Sequence, residues 1–237
     1  MAKKILLITI LIALIINVVA CVTDTDNKDT SRDENNSNIA EKKNGKKDSE
    51  KNNTEIEYEL TEEGIIKPEF AEMIIGEISN ELIEAISIKD FETVSEFVHP
   101  VKGVRFTPYT YVSLDNDIVF NRVEIENFFA DQNVYIWGIY DGIGDDISLT
   151  PSRYYEKFIY TEDFKNAEAI GYNEVLSMGN MIENQFEVYD NAIVVEYYFS
   201  GFNPDYAGMD WRSLRLVFQQ YRNDWKLVGI IYNQWTI

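Results

Sequence analysis

The sequence predicts an α+β domain in which helices lead and a largely antiparallel sheet closes the chain. Three observations carry this. Between Pro68 and Ser87, apolar residues recur at Ala71, Ile74, Ile75, Ile78, Leu82, Ala85 and Ile86, the spacing of one helical face, while Glu69, Glu72, Glu77, Glu81 and Glu84 take the other. In the last third, the runs AIVVEYYFSGF, SLRLVFQQY and WKLVGIIYNQW are rich in β-branched and aromatic residues. Helical runs followed by strand runs, rather than strict alternation, are the pattern of segregated α+β architecture.

The elements follow in order. Asp90 is placed to cap a second helix, Phe91 to Val98, which should stop at His99 because the residue before Pro100 is pushed out of helical geometry. VRFTPYTYV is a strand broken at Pro108. Asn121 caps a helix expected to run through Phe129, and NVYIWGIYDG is a strand entering a glycine turn. Thr150-Pro151 is a helix start, with Thr as cap and Pro at the first helical position. Arg222-Asn223-Asp224 forms a tight hairpin between the last two strands.

Ahead of the domain, Lys3 and Lys4 precede an apolar run from Ile5 to Ala20 that has the length and flanks of a secretory signal peptide; an uncleaved anchor helix is the alternative. Val18-Val19-Ala20-Cys21 resembles the lipobox of bacterial lipoproteins. That resemblance implies that Cys21, the only cysteine, is alkylated by a diacylglyceryl group, that residues 1–20 are removed, and that fatty acyl chains such as palmitate hold the mature chain on the extracytoplasmic face of the membrane. Residues 22–54 contain no aromatic residue, with eight acidic and seven basic side chains. Such a composition cannot bury enough apolar surface to fold, so residues 21–54 are expected to form the lipidated start and a disordered tether. Residues 55–237 then form a single domain, long enough for an ordinary core.

Charge bounds the partners. The chain has 41 acidic and 21 basic residues, and residues 55–237 hold 33 acidic against 12 basic. That excludes nucleic acid, which calls for a basic footprint, and leaves cationic partners, divalent ions or simple solubility.

The run EAISIKDFETVSEFVHPVKGVRF and the ending NDWKLVGIIYNQW resemble the first and last parts of nuclear-transport-factor-2-like domains. The segments HPVKGVRFTPYTYV, GMDWRSLRLVF and VGIIYNQWTI are also similar to uncharacterised bacterial surface lipoproteins. The first resemblance implies a curved, cone-like sheet whose open mouth holds small ligands, or in one branch performs acid–base chemistry. No catalytic pair is carried over onto this chain.

Candidate site residues come from residue type and place. His99 is the only histidine. Tyr and Trp side chains carry a polar handle that needs a partner, and Arg105, Tyr109, Trp137 and Trp211 are the pocket candidates beside His99. YDGIGDDISLT places Asp141, Asp145 and Asp146 around two glycines, a composition that suits Ca2+; the spacing departs from the calcium-loop pattern, and a strand-to-strand turn explains the same residues. Asp115 and Asp117 form a weaker pair of the same kind. Arg212 and Arg215 either pair with carboxylates or hold an anion. The sequence therefore points to a membrane-anchored binding or interaction module for a small molecule or another envelope protein. The alternative is a pocket-based hydrolase or isomerase using carboxylates such as Asp141 or Asp210.

Overall fold

A computed structural model describes residues 58–236. The expectations for residues 1–54, including the signal peptide, the lipidated Cys21 and the tether, lie outside the described residues. Among the described residues no helix is long and apolar enough to cross a membrane.

The first helix, α1, spans Pro68–Ser87 and begins with Pro in its first turn, where the missing N–H is no loss. It buries Ala71, Ile75, Leu82 and Ile86, as the apolar stripe requires. The chain reverses through Lys89, which has φ 62°, into α2 (Phe91–Phe97), where Asp90 accepts a hydrogen bond from Thr93 N at 3.1 Å. Strand β1 (Val104–Thr107) ends ahead of Pro108, and β2 (Ile118–Phe120) pairs with it antiparallel. Helix α3 (Arg122–Glu126) starts with a full capping box between Asn121 and Glu124. It ends earlier than the expected Phe129. Phe128 and Phe129, consecutive in sequence, both pack on Phe91 with ring centroids 4.7 and 4.9 Å away. A continuing helix would turn the two rings about 100° apart.

Strands β3 (Tyr135–Ile139) and β4 (Asp146–Leu149) form a separate two-stranded hairpin. Helix α4 (Pro151–Phe158) follows, capped by Thr150. Strand β5 (Ala169–Tyr172), the one-turn helix α5 (Gln185–Val188), β6 (Ile193–Phe199), β7 (Arg212–Tyr221) and β8 (Asp224–Gln234) complete the chain. The main sheet runs β2-β1-β8-β7-β6-β5 and is antiparallel throughout except for the parallel β1–β8 pair. The α+β class with helices first and a mostly antiparallel sheet is thus present.

Alternation along the strands sorts their side chains onto two faces. One face packs against the helices through Phe106, Val195, Tyr197, Leu216, Leu227 and Ile230. Aromatic rings fill this core. Trp137 is fully buried, stacks on Tyr154 at 3.9 Å and meets Phe106 edge-on at 5.5 Å. The opposite face carries a smaller apolar cluster of Val112, Tyr189, Ala192, Val194, Val217, Val228 and Ile231. It is on this second face that polar side chains are brought together.

Candidate functional site

The register of β7 against β8 shifts between Val217 and Phe218, so Val228 is an extra residue on β8. Such a bulge puts two consecutive residues, Val228 and Gly229, on one side of the sheet. Gly229 lies opposite Val217 on one neighbouring strand and Arg105 on the other. Its missing side chain leaves room for the ring of Tyr189: a Cβ there would sit 2.8 Å from the Tyr189 hydroxyl oxygen. Tyr189 is 7% exposed, and its hydroxyl is buried with no close hydrogen-bond partner. Burial raises its pKa, partly opposed by the charge of Arg105 and by longer-range hydrogen bonding from its guanidinium.

Arg105 faces this hydroxyl, and a second cation, Lys102, lines the same pocket. Arg105 stands opposite Val119 of β2, and its Nη1 donates to the carbonyl of Ser113 at 3.0 Å and, at 3.4 Å, to those of Leu114 and Asp117. Lys102 reaches in from the turn before β1, where its Nζ donates to Gln219 Oε1 at 2.7 Å. Among the described residues neither cation forms an ion pair, although this domain is predominantly acidic. Lys102, Arg105, Leu114, Val119, Val188 and Tyr189 line an open pocket of about 280 Å3, with Gln219 and Val228 at its floor on the sheet.

The supports of these groups are built from local signals. His99 Nδ1 accepts from Val101 N at 3.2 Å and Lys102 N at 3.0 Å, so this nitrogen carries no proton and the ring locks the turn that presents Lys102. Burial, and then the charge of Lys102, hold the His99 pKa below the ordinary value. Gly103, with φ 68°, completes the turn; a Cβ there would lie 2.5 Å from the carbonyl oxygen of Phe120. On the other side of Arg105, Asp117 accepts from Thr107 Oγ1 at 2.6 Å and Ser113 N at 3.0 Å, closing the loop whose carbonyls hold the guanidinium. Burial pushes the Asp117 carboxyl up to about 6, even though these hydrogen bonds and Arg105 favour its charged form.

A second polar cluster on the same face is closed rather than open. Arg215 is fully buried on β7. Its guanidinium pairs with Glu183, donates to Thr110 Oγ1 and Ser177 Oγ at 2.9 Å each, and lies 3.2 Å from the carboxylate of Glu196, which is itself fully buried. Burial disfavours the arginine's charge, yet Glu196 and Glu183 outweigh it and hold its pKa above the ordinary value. Glu196 also accepts from Leu176 N at 2.7 Å and from the Ser177 hydroxyl, so the cluster pins the chain from residue 176 to 183 onto the sheet.

The residues singled out in the sequence are dispersed. Arg105 lines the pocket, and His99 supports its neighbour Lys102. Tyr109 and Trp137 belong to the helix-side core: the Tyr109 hydroxyl accepts from Asp141 N at 3.2 Å, and Trp137 Nε1 donates to Leu149 O at 2.9 Å. Trp211 is buried against Gly179, where a Cβ would meet its ring at 3.2 Å. Asp141 and Asp145 are exposed in the β3–β4 turn and Asp146 opens β4, with Gly142 at φ 75° and Gly144 at φ 80°. Among the described residues no group of three or more His, Cys, Asp or Glu is placed to hold a metal ion. Asp210 organises a turn by accepting from Phe202 N and Asn203 N at 3.1 and 2.8 Å, and Arg212 donates to the carbonyls of Asp210 and Trp211.

Sequence reasoning missed Lys102 and Tyr189. Two signals bear on them: the scarcity of cations in so acidic a domain, and a lone glycine in the strand WKLVGIIY, where an isolated Gly marks a bulge or a close approach. Fold and site together define an α+β domain with a cationic, partly apolar pocket on the outer face of its sheet. No protein-family model matches the chain, and comparison with curated proteins and with solved structures finds no match either.

Proposed function

We propose that this protein is a lipid-anchored binding module on the extracytoplasmic face of a bacterial membrane. Its acidic domain recognises a small ligand at the pocket of Lys102, Arg105 and Tyr189. The anchor rests on the lipobox-like Val18-Val19-Ala20-Cys21, and the tether on residues 21–54. A cone-like member of the nuclear-transport-factor-2-like class remains our reading of the sheet. The observation that carries the binding function is the convergence of Lys102 and Arg105, neither ion-paired among the described residues, at an open pocket whose wall includes Leu114, Val119, Val188 and Tyr189. A polar or anionic group seated there accepts charge-assisted hydrogen bonds from both cationic side chains.

Two experiments test this. Cys21→Ala should move the full chain from the membrane to the aqueous phase in detergent partition, and retention would remove the anchor. Small molecules that raise the melting temperature of the full chain should lose that effect in Val119→Trp, which fills the pocket from a half-exposed position on the edge strand. Ligands indifferent to this substitution would place recognition elsewhere.

A further inference from the structure

We infer that the pocket takes a small amphiphilic carboxylate, a single negative charge on a short apolar body, an assignment that rests on the binding-module reading above. Charge sets the head group. Lys102 and Arg105 stand at one site without an ion-pair partner among the described residues, and both line the open pocket. Of the Arg105 guanidinium, Nη1 is committed to three carbonyls, so the site offers one lysine and the remaining edge of one arginine. A carboxylate has the oxygens to accept from all of these.

Field and shape narrow the class. Residues 55–237 carry 33 acidic side chains, and Asp117 belongs to the loop whose carbonyls hold Arg105. A multiply charged anion is repelled by that background more steeply than a singly charged one. Leu114, Val119, Val188 and Val228 form the rest of the wall, so a fully polar anion would leave apolar surface facing water. The pocket, about 280 Å3, lies just below the usual range of small-molecule sites, roughly 300–1,000 Å3, which favours a body of a few carbons over a long acyl chain. The site is distinct from the helix-side interior, which Trp137, Tyr154 and their neighbours fill.

The test uses the full chain, 15N-labelled in nanodiscs, with hexanoate and its uncharged counterpart hexanamide as probes. The backbone amides of Lys102, Arg105 and Gly229 report on the pocket itself, so partition of either probe into lipid does not confuse the reading. Hexanoate should shift these amides saturably, with hexanamide about tenfold weaker, because only the carboxylate adds an ion-pair attraction to the hydrogen bonds from the two cations. Lys102→Gln should weaken hexanoate about tenfold and hexanamide by clearly less, narrowing the preference for the acid. Val119→Asp, which sets a carboxylate across from Arg105 on a half-exposed strand, should abolish the preference for the acid without disturbing the fold. Equal affinity for acid and amide overturns the assignment of charge and leaves the pocket a ligand site. If neither probe binds while other compounds are lost in Val119→Trp, the ligand class is wrong and the binding function stands. If neither probe binds a folded chain and no compound is sensitive to Val119→Trp, both readings fall.

Discussion

Replacing Arg215 by Met should be the most damaging single change on the outer face of the sheet. The guanidinium is fully buried and satisfies Thr110, Ser177 and Glu183 while lying 3.2 Å from Glu196. Methionine fills much of the same volume, so the loss is electrostatic rather than steric. It strands Glu196, which is also fully buried, with no cation beside it. Breaking a buried pair by deleting one partner costs about 3–5 kcal/mol. For a domain of this size each kcal/mol moves the melting temperature by about 2–4 °C, so Arg215→Met should melt roughly 6–20 °C below the parent by calorimetry at neutral pH. The cause is separable from packing by a second substitution. Glu196→Gln keeps an oxygen to accept from Leu176 N and the Ser177 hydroxyl but removes the charge. Arg215→Met/Glu196→Gln should therefore recover at least half the loss. A single variant that melts within about 2 °C of the parent, or a double variant no better than the single, would refute this account of the cluster.

Three further changes test the pocket and its supports. Gly229→Ala puts a Cβ 2.8 Å from the Tyr189 hydroxyl and should destabilise by about 1–3 kcal/mol in urea titration; adding Tyr189→Phe should return part of that, and an unaffected Gly229→Ala would show that the ring is not held there. Asp117 has a folded pKa of about 6 against an ordinary 3.8. The folded state therefore binds more protons, and this contribution is full below about pH 4 and lost as pH rises through 6. Asp117→Asn should consequently gain melting temperature relative to the parent between pH 4 and 7, and a flat difference contradicts the raised pKa. His99 has the opposite sign, because its folded pKa lies below the ordinary 6.5. Its contribution is full above 6.5 and is lost as pH falls through the folded value, so His99→Gln should lose less stability on acidification than the parent does.

Local chemistry made much of the fold legible. The stripe from Ala71 to Ile86 could bury itself only as a helix, and Asp90, Asn121 and Thr150 each cap the helix they precede through a bond to a backbone N–H two or three residues on. The turn at Arg222-Asn223 joins β7 and β8 with Tyr221 opposite Asp224, as the residue types suggest. Short elements with weak patterns, such as β2, β5 and α5, were not visible in advance, because three or four residues carry little periodicity and take their conformation from the strand or loop they meet. The aromatic residues were ambiguous for a different reason. Trp137, Tyr109 and Tyr189 are equally suited to core or pocket by composition, and only their place in the folded domain separates them.

By itself, then, the sequence determined the class of the domain, the helix starts, the acidic balance and the lipobox-like approach to Cys21, since each depends on composition or on residues within a few positions of one another. The pocket is a product of tertiary structure. It requires β1 to lie parallel to β8, so that Arg105 stands beside Gly229 across more than 120 residues of chain, and it requires the Val228 bulge to bring that glycine under Tyr189. Register and bulge placement follow from the packing of the entire sheet, and a one-residue slip would send every one of these side chains to the opposite face.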